Sequence, residues 1–304
     1  MSDRLVWLPF DLEDIGEVPD TLRYERYDGD GELPPGAEEV ELWVMPYRFS
    51  AADGETMQRL PELKVVQTLS AGIEHIAPHV PPGVMLCNGR GIHDTSTAEL
   101  TLTLVLSSLR GIPQFVRAQD RGAWEPVRRP SLADKQVLIV GYGQIGAAIE
   151  ERLLPFECEV TRVARSARDG VHAIAELPQL LPRADVVILI VPGTPETVGL
   201  FDAEMLAHLA DGALLVNMSR GPVVDTGALV AELESGRISA ALDVVEPEPL
   251  PEDHALWRAP NLLLSPHVGG NSSAMDARGR RLVREQLFRY AAGEPLENVV
   301  DGAY

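Results

Sequence analysis

Cysteine is almost absent: Cys87 and Cys158 are the only two in 304 residues. That excludes a disulfide framework or a cysteine-based zinc site and leaves two buried thiols, with a single bridge between them as the alternative. Lysine is as scarce, at Lys64 and Lys135 alone, so arginine supplies the rest of the 26 basic side chains. Positive charge is short overall, because 46 acidic residues set a formal net charge of −20. A field of that sign repels polyphosphate, which argues against nucleic acid and anionic lipid as partners. An anionic small substrate must then be met by local positive groups. No apolar run reaches the ~18 residues that suggest a membrane span. The start, Met1-Ser2-Asp3-Arg4-Leu5, lacks the basic and apolar regions of a secretory signal, so a cytoplasmic protein with no membrane partner is expected. Without such a signal, the sequons at Asn217 and Asn271 carry little meaning. Internal repeats and low-complexity tracts are also missing. His75 and His79 have helical ligand spacing, but Pro78 lies between them and no H-E-x-x-H pattern occurs, so no metal is expected.

What is present is length and apolar content, 304 residues at 45% hydrophobic, enough for two domains with separate cores. Short apolar runs at Leu5–Leu8, Glu41–Met45, Lys64–Leu69 and Val84–Cys87 alternate with turn-rich and helix-like stretches such as Ser50–Leu60. This is the pattern of a small α/β sheet. A long helix is predicted from Ser96 or Thr97 to Leu109. Strand candidates follow at 136–140, 159–163, 185–190, 212–217, 238–243 and 261–264, separated by helices or turns, as in a doubly wound parallel sheet. The segment Ala274–Ala292 is predicted to be a helix that packs back onto the first domain.

The chemistry begins at Gly141-Tyr142-Gly143-Gln144-Ile145-Gly146, which directly follows the apolar run Gln136–Val140 and opens a helix-like stretch. In that setting Gly141 makes the tight bend, Gly143 admits a pyrophosphate and Gly146 lets helix and strand pack closely, which predicts a Rossmann turn and a bound dinucleotide. An acid expected about 20 residues further on, for the ribose of NAD, is replaced by Ala164, followed by Arg165, Ser166 and Arg168. Paired guanidinium hydrogen bonds and a hydroxyl suit a 2′-phosphate, so NADPH is expected to be preferred, with NAD possible as cofactor.

Three later strand ends carry polar groups: Asn217-Met218-Ser219-Arg220-Gly221, Asp243-Val244-Val245-Glu246-Pro247-Glu248, and Ser265-Pro266-His267-Val268-Gly269. In a parallel sheet these ends converge where the nicotinamide would lie. Arginine, carboxylate and histidine are the set that reduces a 2-oxo acid. Arg220 can hold the substrate carboxylate, His267 can supply the proton, and a carboxylate on the far imidazole nitrogen would raise the histidine pKa. The segment Asn217–Gly221 has only a superficial likeness to a serine nucleophile elbow, since asparagine stands at its first glycine position.

Taken with the loop Val191-Pro192-Gly193-Thr194-Pro195-Glu196-Thr197, these motifs, spaced through most of the chain, resemble the D-isomer-specific 2-hydroxyacid dehydrogenase family. The resemblance implies a Rossmann doubly wound cofactor domain, 98–273, and a discontinuous, smaller flavodoxin-like α/β substrate domain, 1–97 and 274–304. It implies Arg220, Glu248 and His267 as catalytic residues, with Glu248 chosen over Glu246 because it precedes Pro249-Leu250. Cofactor contacts are expected at Gly141, Gly143, Gln144, Ile145, Gly146, Arg165, Ser166, Arg168, Pro192 and Thr197. Asp243 is either a contact to the nicotinamide carboxamide or a strand-end acid capping its own turn. The loop Ser70-Ala71-Gly72 is expected at the substrate, with the backbone N–H groups of Ala71 and Gly72 forming a small anion nest. His93, Tyr47 and Arg48 are further candidates, His93 as a substrate contact or a hinge or solvated loop residue, Tyr47 and Arg48 for a distal substrate group or a surface turn.

The expected substrates are small 2-oxo acids such as glyoxylate or hydroxypyruvate. Formate dehydrogenases of the same superfamily place glutamine opposite the histidine, whereas the glutamates here point to hydroxyacid chemistry. Alternatives are phosphoglycerate oxidation, weakened because no regulatory extension follows Tyr304, and a dinucleotide-sensing interaction protein resembling C-terminal-binding corepressors. A homodimer is implied, with Gly122-Ala123-Trp124-Glu125-Pro126 similar to the family's dimer arm, Trp124 being alternatively a core aromatic.

Overall fold

The computed structural model describes residues 4–48 and 51–300. Ser50, where the first helix is expected to begin, lies outside the described residues, and that helix covers Ala51–Met57. The chain divides into two compact units, Met1–His93 with Ser273–Tyr304, and Asp94–Ser272.

The first unit is a parallel sheet of β1 (Arg4–Leu8), β2 (Leu22–Arg26), β3 (Val40–Val44), β4 (Val65–Gln67) and β5 (Met85–Cys87). The strand order is β2-β1-β3-β4-β5, the flavodoxin-like arrangement. Apolar layers cover both faces, so Leu5 to Leu8 of β1 are all buried, in alternating directions. Leu5 and Trp7 join Trp43 and Met45, whereas Val6 and Leu8 join Leu42 and Val44. The Trp7 ring lies 4.6 Å from Tyr27 and 6.1 Å from Trp43. β2 was not anticipated, because an edge strand reading LRYER is charged and mostly exposed and carries no apolar run.

The helix Ser273–Ala292 belongs to this unit and buries Leu282, Val283 and Leu287 in the layer that holds Val6 and Leu8. A buried polar clasp fixes it. Gln286 Nε2 donates to Gln67 Oε1 at 2.8 Å and to the Glu297 carbonyl at 2.9 Å, and Glu297 N donates back to Gln286 Oε1 at 2.9 Å.

The second unit is a seven-stranded parallel sheet. Its strands are β6 (Gln136–Val140), β7 (Glu159–Ala164), β8 (His172–Ala173), β9 (Val186–Leu189), β10 (Leu214–Asn217), β11 (Ser239–Leu242) and β12 (Leu262–Leu264). The order β12-β11-β10-β9-β6-β7-β8 is the doubly wound arrangement with one added strand. β8, two residues long and half polar, gives no periodic signal in sequence. Val137 and Ile139 of β6 face one core layer and Leu138 and Val140 the other, and β9 alternates in the same way. The helix Asp94–Arg110 starts two residues before Ser96 and buries Ala98, Leu102 and Val105 in the first of these layers. Strand order reverses between β6 and β9, which opens a crevice at their carboxyl ends.

Cys87 and Cys158 are buried free thiols, and burial pushes the Cys87 thiol up to about 11. Among the described residues no helix is long and apolar enough to cross a membrane.

Candidate active site

The glycine turn sits at the end of β6, beside the switch point. Gly141 has φ +107°, and a side chain there would collide with the Ile190 carbonyl of the neighbouring strand end. At Gly146 a Cβ would collide with the Gly141 carbonyl, so close packing of the helix Gln144–Leu153 requires glycine. Gly143 differs: no atom lies within 4 Å of where its Cβ would be. Open space therefore stands before a helix N-terminus, opened by Gln144 and Ile145, that no side chain caps. These residues fit a dinucleotide, whose pyrophosphate would take backbone N–H groups and the positive end of the helix dipole.

Beyond β7 the chain bends at exposed Arg165 and Ser166 and closes a hairpin, Arg168 N to Val171 O at 3.0 Å and Val171 N to Arg168 O at 2.9 Å. Arg168 Nη2 also donates to the Tyr142 carbonyl at 2.6 Å, which ties this loop to the glycine turn. Arg162 is engaged underneath. Its Nε donates to both oxygens of buried Glu150 at 2.8 Å, and the Tyr142 hydroxyl donates to the same carboxylate. The Arg162 hydrogen bonds hold Glu150 below the usual carboxylate range despite burial. Of the arginines here, Arg165 and Arg168 remain at the surface.

Thr197 is buried, and its hydroxyl accepts from Thr194 N at 2.9 Å and donates to the Pro192 carbonyl at 2.7 Å. That hydroxyl shapes the loop from within.

The three later strand ends meet within the same unit. Asn217, buried at the end of β10, accepts from Ser219 N at 3.0 Å and donates to the Arg220 carbonyl at 3.0 Å, which sets the turn that carries Arg220. The Ser219 hydroxyl accepts from Val191 N at 2.9 Å and ties this turn to the end of β9. Gly221 is obligatory because any Cβ would strike the Val245 carbonyl. Glu248 Oε1 accepts from Val245 N at 2.9 Å, and its Oε2 lies 2.7 Å from His267 Nδ1. His267 holds a left-handed backbone, φ +53°. Asp243 stabilises that turn: its carboxylate accepts from Ser265 Oγ at 2.6 Å, Val268 N at 3.0 Å and Gly269 N at 2.8 Å, while its carbonyl accepts from His267 N at 2.7 Å.

The electrostatics follow from this geometry. The hydrogen bond to Glu248 raises the His267 pKa against the opposing effect of burial. Burial favours protonated Glu248, but the His267 hydrogen bond and the Val245 N–H outweigh it and hold the carboxyl below its ordinary value. The Arg220 charge is felt by both groups, lowering each pKa. With Nδ1 committed to Glu248, Nε2 has no hydrogen-bond partner among the described residues and is left to exchange a proton. Asn217, Ser219 and Gly221 were not foreseen in these supporting roles. The one local signal is an asparagine at a strand end followed by serine and glycine.

In the first unit, the loop after β4 turns its carbonyls inward. Ser70 O accepts from Gly89 N at 2.7 Å, Ala71 O from Asn88 Nδ2 at 3.0 Å, and Gly72 O from Ser70 Oγ at 2.8 Å. One alternative at each of two further residues is set aside. His93 is not a solvated loop residue: it is buried, its Nε2 lies 2.8 Å from the Leu69 carbonyl, and its ring packs 5.2 Å from Tyr47. Arg48 is not a spare cation for a distal substrate group, since its Nη2 pairs with Asp53 at 3.3 Å and Asp30 at 3.4 Å.

Comparison with known proteins agrees with this geometry. Residues 102–269 match the family described as D-isomer specific 2-hydroxyacid dehydrogenase, NAD binding domain. A glyoxylate reductase of Thermofilum pendens is 35% identical over 259 residues, spanning 80% of this chain and 76% of that protein. A D-3-phosphoglycerate dehydrogenase of Methanocaldococcus jannaschii is 32% identical across 81% of this chain, but the match spans only 49% of that longer protein. Among solved structures, a D-isomer specific 2-hydroxyacid dehydrogenase of Xanthobacter autotrophicus Py2, determined with NADPH and MES, superposes with a TM-score of 0.83 at 33% identity, covering 99% of this chain and 98% of that one.

Proposed function

The chain belongs to the D-isomer specific 2-hydroxyacid dehydrogenase family, whose members are NAD(P)-dependent oxidoreductases, and on that premise we propose that it reduces small 2-oxo acids such as glyoxylate or hydroxypyruvate, with NADPH preferred to NADH. The observation that carries this reading is the 2.7 Å contact between His267 Nδ1 and Glu248 Oε2, beside Arg220, at the carboxyl edge of the nucleotide-type sheet. When bound, the reduced nicotinamide supplies a hydride to the substrate carbonyl carbon. Arg220 binds the substrate carboxylate through a forked pair of hydrogen bonds and polarises the carbonyl. His267 Nε2 gives its proton to the developing alkoxide oxygen, and Glu248 stabilises the imidazolium that precedes transfer. Asp243 acts as the support of the His267 turn, with a cofactor carboxamide contact also assigned to it.

NADPH preference is supported by the missing acid at Ala164 and by the exposed Arg165, Ser166 and Arg168. Pro192 and Thr197 shape the opposite loop, and family resemblance assigns the loop Ser70-Ala71-Gly72 to the substrate, with the backbone N–H groups of Ala71 and Gly72 as donors to a carboxylate. Because reduced nicotinamide is an intracellular reagent, cytoplasmic action is part of the proposal. So is a homodimer: Trp124 is 95% exposed, and Ile112, Phe115, Val116 and Val127 are exposed near it in sequence, more apolar surface than one short segment keeps bare without a partner. A monomer by light scattering at micromolar concentration would overturn that part. The activity itself is tested by kcat/KM for a panel of 2-oxo acids with each reduced cofactor. The reading expects turnover of glyoxylate or hydroxypyruvate and a higher kcat/KM with NADPH. NADPH binding with no turnover across the panel would instead favour a sensing role.

A further inference from the structure

At the amino edge of the seven-stranded sheet, the opposite strand ends from Arg220 and His267, the second unit carries a concavity of about 290 Å³. It lies where β10, β11 and β12 begin, and its polar lining includes Ser108, Gln114, Arg117, Arg129, Ser239 and Asn261. No aspartate or glutamate lines it. In a chain of net charge −20, a recess with two arginines and no acid is a local reversal of sign.

Three observations give the recess a ligand class. Neither Arg117 nor Arg129 makes an ion pair with an acidic residue among the described residues. Ser108 Oγ and Arg129 Nε are buried, and neither has a hydrogen-bond partner there. Buried donors are ordinarily satisfied, and a guanidinium can be satisfied only by an acceptor. Arg129 is also held in place, because it lies over Gly111, where a Cβ would stand 2.6 Å from its Nε and φ is +67°. Gly111 is the cap of the helix Ile112–Asp120, which has two faces: Ile112, Phe115 and Val116 are exposed, while Pro113, Gln114 and Arg117 line the recess.

We infer that this recess binds a small oxyanion, a carboxylate or phosphate group whose oxygens are taken by Arg129, Arg117 and the Ser108 hydroxyl. Its volume lies at the small end of ligand pockets, about 300–1,000 Å³, which suits a compact metabolite rather than a nucleotide. Bound there, the anion braces the start of the helix Ile112–Asp120 against the sheet. The inference uses no catalytic residue and does not depend on the proposed reaction.

The test is thermal unfolding of the full chain titrated with malonate and, separately, with inorganic phosphate, against sodium chloride at matched ionic strength. The expected result is a saturable rise in Tm, about 3 °C at ten times Kd. The rise is retained in Arg220→Met, which removes the carboxylate site at the catalytic edge, and is lost when Arg129→Met is added to Arg220→Met. A response to malonate alone assigns a carboxylate ligand, and a response to phosphate alone a phosphate. An equal rise in Arg220→Met and in Arg220→Met/Arg129→Met, or no saturable rise with either anion, overturns the inference. If Arg129→Met does not fold, Arg117→Met takes its place, and wild-type crystals soaked in selenate and, separately, in bromoacetate must show an anomalous peak at the Arg129 guanidinium in at least one soak. Absence of a peak in both is equally decisive against it.

Discussion

Replacing Asp243 by asparagine keeps the shape of the side chain and removes one acceptor from a turn that uses both of its oxygens. Oδ1 takes Ser265 Oγ and Val268 N, and Oδ2 takes Gly269 N. An asparagine oriented with its oxygen at the first position sets its NH2 against Gly269 N–H. The flipped orientation sets it against Val268 N–H, although Ser265 can turn its hydroxyl to accept. Either way one backbone donor loses a charge-assisted bond at a side chain only 4% exposed. Such a loss costs about 2 kcal/mol, a fall in Tm of roughly 4–8 °C. The same turn holds His267 in a left-handed conformation, a strain of about 1 kcal/mol that it must overcome. With one tie gone, the imidazole shifts, and a displacement of about 1 Å costs about 10²-fold in rate. Thermal unfolding by circular dichroism and kcat/KM for 2-oxo acid reduction, measured on the same preparation, check both effects. A variant as stable and as active as wild type would refute the reasoning. One that is less stable yet fully active would show that the turn does not position His267.

Glu248→Gln replaces the charged acceptor that raises the His267 pKa by a neutral one. Because reduction needs the imidazolium, kcat/KM falls as pH rises through that raised pKa, and the variant should show this decline at lower pH; an unmoved profile would contradict the pairing. Stability follows the same linkage. The His267 contribution is complete below its unfolded-state pKa and is lost as pH rises through the raised folded value, whereas that of Glu248 is present above its unfolded pKa and is lost as pH falls through the lowered one. Both side chains are about one-third exposed or more, so solvent screening keeps this contribution small. If the proposed NADPH preference rests on Arg165 and Ser166, their joint replacement by alanine should raise KM for NADPH about tenfold and leave KM for NADH within about twofold. Equal changes for both cofactors would mean that the loop does not read the 2′-phosphate.

What sequence reveals about this protein is what is local. The run Gln136–Val140 and its glycines are contiguous, and the structure puts a strand, a tight turn and a helix there. Strands β2 and β8 were illegible for the opposite reason, one being a charged edge and the other too short for a period. Pairings that close only in three dimensions were also out of reach. Arg48 reads as an available cation until Asp30 and Asp53 fold onto it. Arg162 gives no sign in sequence of being engaged by Glu150 while Arg168 stays on the loop. The need for glycine at position 221 arises from the Val245 carbonyl on the next strand end, a contact between loops that no periodicity encodes.

The proposed reaction stands on His267 as proton donor for a hydride transfer beside it. It is tested most directly by the rate of NADPH oxidation with hydroxypyruvate in His267→Asn, with NADPH affinity measured by fluorescence on the same sample. The expected kcat is lower by about 10²–10⁴-fold, with NADPH binding retained. A kcat within about threefold of wild type at saturating substrate would contradict it, since an interaction made in the transition state must appear in kcat.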